Sequence, residues 1–163
     1  VIGFDPGGKQ FGWCHMSVAD GNVRLHSFGT IFPRESAFEF EGGGMPMIRL
    51  SDGVNHLFNT IKKPMVAYEL IHFHKSTKAA QIYGWVRGKI MEECEIRKIP
   101  YSGIPPSTIR MHVMGNGKAK KEQVKRVLQK TFNVKFDNDD ESDAVACALG
   151  FMIMQGWIDG QKT

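Results

Sequence analysis

A chain of 163 residues with 42% hydrophobic and 23% charged residues has the balance of one globular domain, and disorder and collagen-like repeats are excluded. Three widely spaced cysteines, Cys14, Cys94 and Cys147, form no CxxC pair, which rules out a disulfide scaffold or a cysteine-rich zinc site. Against 17 acids the chain carries 21 lysines and arginines, a net charge of +4, and its distribution matters more than its size. With no apolar run of membrane-spanning length and an N-terminus that already reads as a strand, a soluble cytoplasmic protein with no membrane partner is expected.

Val1 to Asp5 reads as the first strand, broken at Pro6-Gly7-Gly8. Phe11 to Val18 and Val23 to Phe32 are two more, joined by a hairpin turn at Asp20-Gly21-Asn22. Pro33 to Gly44 is a loop, and Met45 to Ile61 has a helical period interrupted by Gly53. Met65 to Ile71 is an apolar strand suited to the middle of a sheet. A long helix capped at Ser76 or Thr77 runs to about Glu95, with Gly84 and Gly88 on one face. Those two glycines fit either a subunit interface or packing against the chain's own sheet. Ile96 to Tyr101 is the last predicted strand. A short helix opened by Pro105-Pro106-Ser107 ends at Gly115, Ala119 to Phe132 is a basic amphipathic helix, and an apolar helix runs from about Glu141 to Gln155. The order predicts an α/β fold of ribonuclease H-like type, a mixed five-stranded sheet flanked by helices, in a single domain over 1–163.

Charge is concentrated late in the chain. Arg110, Lys118, Lys120, Lys121, Lys125, Arg126, Lys130 and Lys135 face one acid, Glu122, and Asp137, Asp139, Asp140, Glu141 and Asp143 follow at once. A basic stretch beside an acidic cluster suits a protein that grips a polyanion and holds divalent metal against it. A solvated helix face followed by an acidic turn is the bland alternative. A calcium loop fails, because Ser142 stands where glycine is needed and Ala148 where glutamate is.

Four acids stand out. Asp5 ends the first strand, although it also suits a turn cap. Glu69 is a lone acid in an apolar strand, costly to bury unless paired or bound to metal. Asp140 and Asp143 share a face at the start of the last helix, where negative charge is favoured anyway. If the first and fourth strands are neighbours, all four meet at one sheet edge, where their repulsion calls for cations. Two magnesium ions 3.5–4 Å apart, roughly, would then activate water and stabilise the leaving oxygen of a phosphodiester.

These residues carry a resemblance. Val1-Ile2-Gly3-Phe4-Asp5-Pro6-Gly7 with Gly12-Trp13, Ala67-Tyr68-Glu69, Gly84-Trp85-Val86-Arg87-Gly88, the stretch from Arg110 through Val124, and Asp140-Glu141-Ser142-Asp143-Ala144-Val145-Ala146 follow one another as in a known family. Over most of its length the sequence resembles the RuvC family of Holliday-junction resolvases, in a short, divergent form like those carried by phages. The resemblance implies a homodimeric endonuclease dependent on magnesium or manganese, nicking four-way junctions and other branched DNA such as forks and flaps. It implies Asp5, Glu69, Asp140 and Asp143 as metal ligands and Lys121 as a catalytic cation. Arg110, Lys118, Lys120, Lys121 and Lys125 would bind DNA. Arg110 replaces a residue that is commonly lysine there. Where the family places an aromatic wedge three residues after the second acid, this chain has His72 followed by Phe73: either Phe73 would stack at the crossover, or His72 would stack or bind phosphate. His72 and His74 as a metal pair lack a third nitrogen or sulphur ligand. Two rival readings are a non-cleaving branched-DNA-binding module and a member of the actin and sugar-kinase superfamily. The second needs two lobes, which this length does not hold.

Overall fold

A computed structural model describes residues 1–7, 10–32, 44–72 and 76–160. Ten elements follow in chain order: β1 (Ile2–Asp5), β2 (Phe11–Ala19), β3 (Asn22–Ile31), α1 (Gly44–Thr60), β4 (Val66–Glu69), α2 (Thr77–Arg97), β5 (Tyr101–Ile104), α3 (Pro106–Met114), α4 (Lys121–Phe132) and α5 (Asp139–Met154). The five strands lie in the order β3-β2-β1-β4-β5. Strands β3, β2 and β1 are antiparallel neighbours, whereas β1–β4 and β4–β5 are parallel, so the sheet is mixed. Positive φ at both Asp20 (51°) and Gly21 (73°) makes the β2–β3 connection the tight turn that matches strand twist.

Alternation along the strands assigns each residue to a face. Ile2 and Phe4 of β1 and Val66 and Tyr68 of β4 pack with Leu50, Val54, Val86 and Ile90 of α1 and α2. Ala67 and Cys14 point the other way, into a core made with α3, α4 and α5. Asp5 and Glu69 fall on the same side as Gly3 and Ala67, and therefore under α5. That helix is buried almost all round from Ala144 to Met152, as its unbroken apolar run requires.

Glycine permits the close seating of α5. A Cβ on Gly3 would lie 2.2 Å from the Ala144 carbonyl oxygen and 2.9 Å from Cβ of Ala148. Cys14 on the adjacent strand donates its thiol to the same Ala144 carbonyl at 3.3 Å. At Gly12 an added Cβ would stand 2.0 Å from the Asp140 carbonyl oxygen.

One strand lies elsewhere than the sequence suggests. Ile96 to Tyr101 is not a strand: α2 continues to Arg97, Lys98 caps it in the left-handed region (φ 54°), and β5 begins at Tyr101. Arg97 is tied to α1 by 2.9 Å hydrogen bonds to Asn55 Oδ1 and Asn59 Oδ1, which secures the extra turn. Ile96 faces solvent, 69% exposed, and stands three residues before Ile99, a helical spacing and not a strand alternation. The predicted loop at 33–43 lies outside the described residues. No helix among the described residues is long and apolar enough to cross a membrane.

Gly3→Ala would force α5 off the sheet. A loss of roughly 1–3 kcal/mol of stability is expected for such overpacking, read as a lowered midpoint in thermal or urea unfolding.

Candidate active site

Parallel pairing of β1 with β4 brings the ends of both strands to one edge, so Asp5 and Glu69 close their strands side by side. Each is only 6% exposed. Asp5 pairs across the sheet with Gly12, and the bare backbone there admits the first turn of α5. Asn138 caps that turn, its side chain accepting from the Glu141 N–H at 3.0 Å. Glu141 is buried and structural: its carboxylate accepts from the Asp137 N–H at 2.9 Å and from the Thr30 hydroxyl at 3.3 Å. Asn138 Nδ2 reaches the same Thr30 oxygen at 2.8 Å, pinning the acidic turn to β3. Asp140 and Asp143, one helical turn apart, are thereby aimed over the strand ends.

One carboxylate oxygen each from Asp5, Glu69 and Asp143 lies within 4.8 Å of the other two. Asp140 joins them through a hydrogen bond with Asp5. Burial, followed by the charges of Glu69, Asp143 and Asp140, drives the Asp5 pKa well above the ordinary 3.8. Burial also raises Glu69, seconded by Asp143, while Lys121, a hydrogen bond from Asp5 and Arg110 act to lower it. For Asp140 burial again raises the pKa, against the Asp5 hydrogen bond. Burial and the neighbouring carboxylates thus both favour the neutral form of Asp5. A crowded, buried set of hard oxygen donors fits a hard divalent cation and does not fit a soft one.

Two cations face the acids. Lys121, the first residue of α4, pairs with Asp143 Oδ2. Burial would lower the Lys121 pKa, but the Asp143 hydrogen bond and the charges of Asp143, Glu69 and Asp5 raise it above the usual 10.5. Arg110 of α3 is half-buried and close enough for its charge to act on Glu69. Lys118 and Lys120 are exposed on the connection into α4. Lys125 is engaged otherwise, in a 2.8 Å ion pair with Asp139 that ties α4 to α5 and holds the Asp139 pKa below its ordinary value. His72 is exposed three residues beyond Glu69, and Phe73 lies outside the described residues.

The family model described as "Crossover junction endodeoxyribonuclease RuvC" matches residues 1–151. The chain belongs to the RuvC family. A crossover junction endodeoxyribonuclease RuvC of Ehrlichia ruminantium is 28% identical over 153 residues, covering 91% of this chain and 93% of the relative. That of Nitratidesulfovibrio vulgaris is 30% identical over 91% of this chain and 87% of its own. In solved structures, T. thermophilus RuvC in complex with Holliday junction substrate superposes with a TM-score of 0.83 at 22% identity, covering 94% of this chain and 93% of that one, which shows the shared ribonuclease H-like fold. The RuvC family is metal-dependent, and the acidic cluster described above supplies suitable ligands here.

The raised pKa values have a consequence for stability. A carboxyl whose folded pKa lies above its unfolded value binds more protons folded than unfolded between the two, so stability falls as pH rises through that interval. The metal-free protein should lose thermal stability as pH climbs from the ordinary 3.8 of aspartate and 4.5 of glutamate through the raised values of Asp5, Glu69 and Asp140. Asp139 acts oppositely and only on the acid side, its contribution vanishing as pH falls through its lowered pKa. Asp5→Asn should flatten the slope and raise the metal-free melting temperature at neutral pH. An unchanged slope in scanning calorimetry would remove Asp5 from the charge cluster.

Proposed function

We infer that this chain is a metal-dependent endonuclease that nicks Holliday junctions, and branched DNA such as forks and flaps, by phosphodiester hydrolysis. The observation that carries this reading is the convergence of Asp5, Glu69 and Asp143 at one sheet edge with Asp140 beside them. These four acids would hold two Mg2+ ions, with Mn2+ as a substitute. Bound there, the ions supply an activated water and charge stabilisation for the leaving oxygen.

The chain's own groups do the rest. Cations held there would relieve the carboxylate repulsion that raises the Asp5 pKa and so favour its charged form. Lys121 reaches the carboxylates from a half-exposed position, 48% of its side chain in solvent, and can exchange part of its contact with Asp143 for a phosphate oxygen. Its positive charge then counters the charge that builds on the reacting phosphoryl group. Arg110 orients the same phosphate with its planar fork. Exposed Lys118 and Lys120 extend the contact along the backbone, which makes binding strongly salt-dependent. Lys125 contributes through the Asp139 pair, and binds DNA directly only if that pair opens. His72 or Phe73 stacks at the crossover.

A four-way junction is close to two-fold symmetric, so paired nicks call for an isologous dimer. An added Cβ on Gly84 or Gly88 meets nothing within 4 Å, so packing against its own sheet does not account for either glycine. With Trp85 between them 45% exposed, this face of α2 supports the homodimer. The whole of 1–163 is taken as one nuclease domain, working in the cytoplasm, with a phage-encoded form acting in the host cell.

Four-way, three-way and linear DNA, each incubated with and without Mg2+, test the reading. Nicking of branched DNA only with metal is expected, and reproducible binding with no nick under any condition would favour a non-cleaving module. Asp143→Asn should abolish cleavage while junction binding stays equal or improves, since a negative charge near phosphate is lost. Lys121→Met should lower turnover by about 10²-fold or more while leaving metal binding intact. Normal turnover by either variant, measured in single-turnover assays, would remove that residue from the chemistry.

A further inference from the structure

The parallel ladder between β1 and β4 is cut short by the residue that follows Asp5. Ile2 donates its N–H to the Met65 carbonyl at 2.7 Å, and the register continues through Phe4 opposite Tyr68. In a parallel ladder alternate residues of one strand bond to the same neighbour. Two steps beyond Ile2, position 6 therefore stands where its N–H would meet the Glu69 carbonyl and its carbonyl the Ile71 N–H. Position 6 is Pro6, which has no N–H. The chain has also turned away there, with the Gly7 N–H folded back onto the Asp5 carbonyl at 2.9 Å.

One side chain makes both missing bonds. The Tyr83 hydroxyl, from α2, donates to the Glu69 carbonyl at 2.9 Å and accepts from the Ile71 N–H at 3.0 Å. Tyr83 is buried, 8% exposed, and burial raises its phenol pKa, so it remains a donor. On the opposite edge of β4 the ordinary ladder persists, with the Leu70 N–H bonded to the Ile104 carbonyl at 2.9 Å.

We propose that Tyr83 is a positioning residue whose hydroxyl replaces the absent peptide group of position 6, and so fixes the backbone of Glu69 and the segment leading to His72. The arrangement lets β1 stop at Asp5 and open the carboxylate site, while β4 stays anchored on both edges. It also ties Glu69 to the helix that carries Gly84 and Gly88, next to Tyr83 in sequence. Its consequence for metal binding rests on the function proposed above.

Tyr83→Phe keeps the ring and deletes both bonds. In the metal-free protein, the Ile71 amide should exchange its hydrogen at least about tenfold faster by NMR, with Leu70 unchanged, because among the described residues the hydroxyl is the acceptor for the Ile71 N–H. By titration calorimetry with Mn2+ and no DNA, affinity should fall about tenfold, the lower end for an outer-sphere support. Wild-type Ile71 exchange in Tyr83→Phe, or wild-type Mn2+ affinity in it, would each overturn the proposal. Should Tyr83→Phe fail to fold, hydrogen exchange in the wild-type protein decides: an Ile71 amide protected as well as that of Leu70 supports the proposal, and one that exchanges like an exposed amide overturns it. Wild-type protein that binds Mn2+ but nicks no branched DNA would defeat the functional reading and leave the role of Tyr83 standing.

Discussion

The seating of α5 against the ends of β1 and β2 is the contact on which the rest of the molecule depends. Gly3 and Gly12 leave bare backbone where the helix carbonyls of Ala144 and Asp140 press down. Without that approach Asp140 and Asp143 would hang over the sheet edge at a distance from Asp5 and Glu69. With it, negative groups from three separate elements are compressed into a buried corner. Folding energy from the apolar body of α5 holds them there against their mutual repulsion, a typical case of a strained polar site supported by packing elsewhere.

Charge in the remainder of the molecule is arranged around that corner. Lys121 and Arg110 come from two different helices and act on the same acids, so the site carries opposing charge even with the cluster crowded. Glu141 and Lys125 serve another purpose, since one pins the acidic turn to Thr30 and the other pairs with Asp139. A run of acids and a run of bases in the sequence thus divide into groups that face the chemistry and groups that hold the helices in place. Tyr83 belongs to the second kind, acting on the backbone of Glu69 from the far face of the sheet.

Much of this was legible before any coordinates. A lone acid in an apolar strand, an aspartate before a Pro-Gly break and two aspartates one turn apart on a buried helix each point to the site by the cost of burying charge. Periodicity and turn residues likewise gave the hairpin at Asp20-Gly21 and the sheet-flanking helices. Ile96 to Tyr101 misleads as a strand, because α2 runs on to Arg97, which is held by asparagines distant in sequence, and β5 begins only at Tyr101. The engagement of Lys125 is not legible in the sequence, since its pairing with Asp139 depends on how α4 lies against α5. Tyr83 carried no local signal at all: its importance follows from Pro6, 77 positions earlier, and from a strand register visible only in three dimensions.

Crystals soaked in Mn2+ and measured for anomalous scattering test the central claim most directly. The account predicts peaks within coordination distance of the carboxylates of Asp5, Glu69, Asp140 and Asp143. Mn2+ bound elsewhere, or a carboxylate corner that stays free of it at saturating concentration, would contradict the claim that these acids are gathered to hold cations.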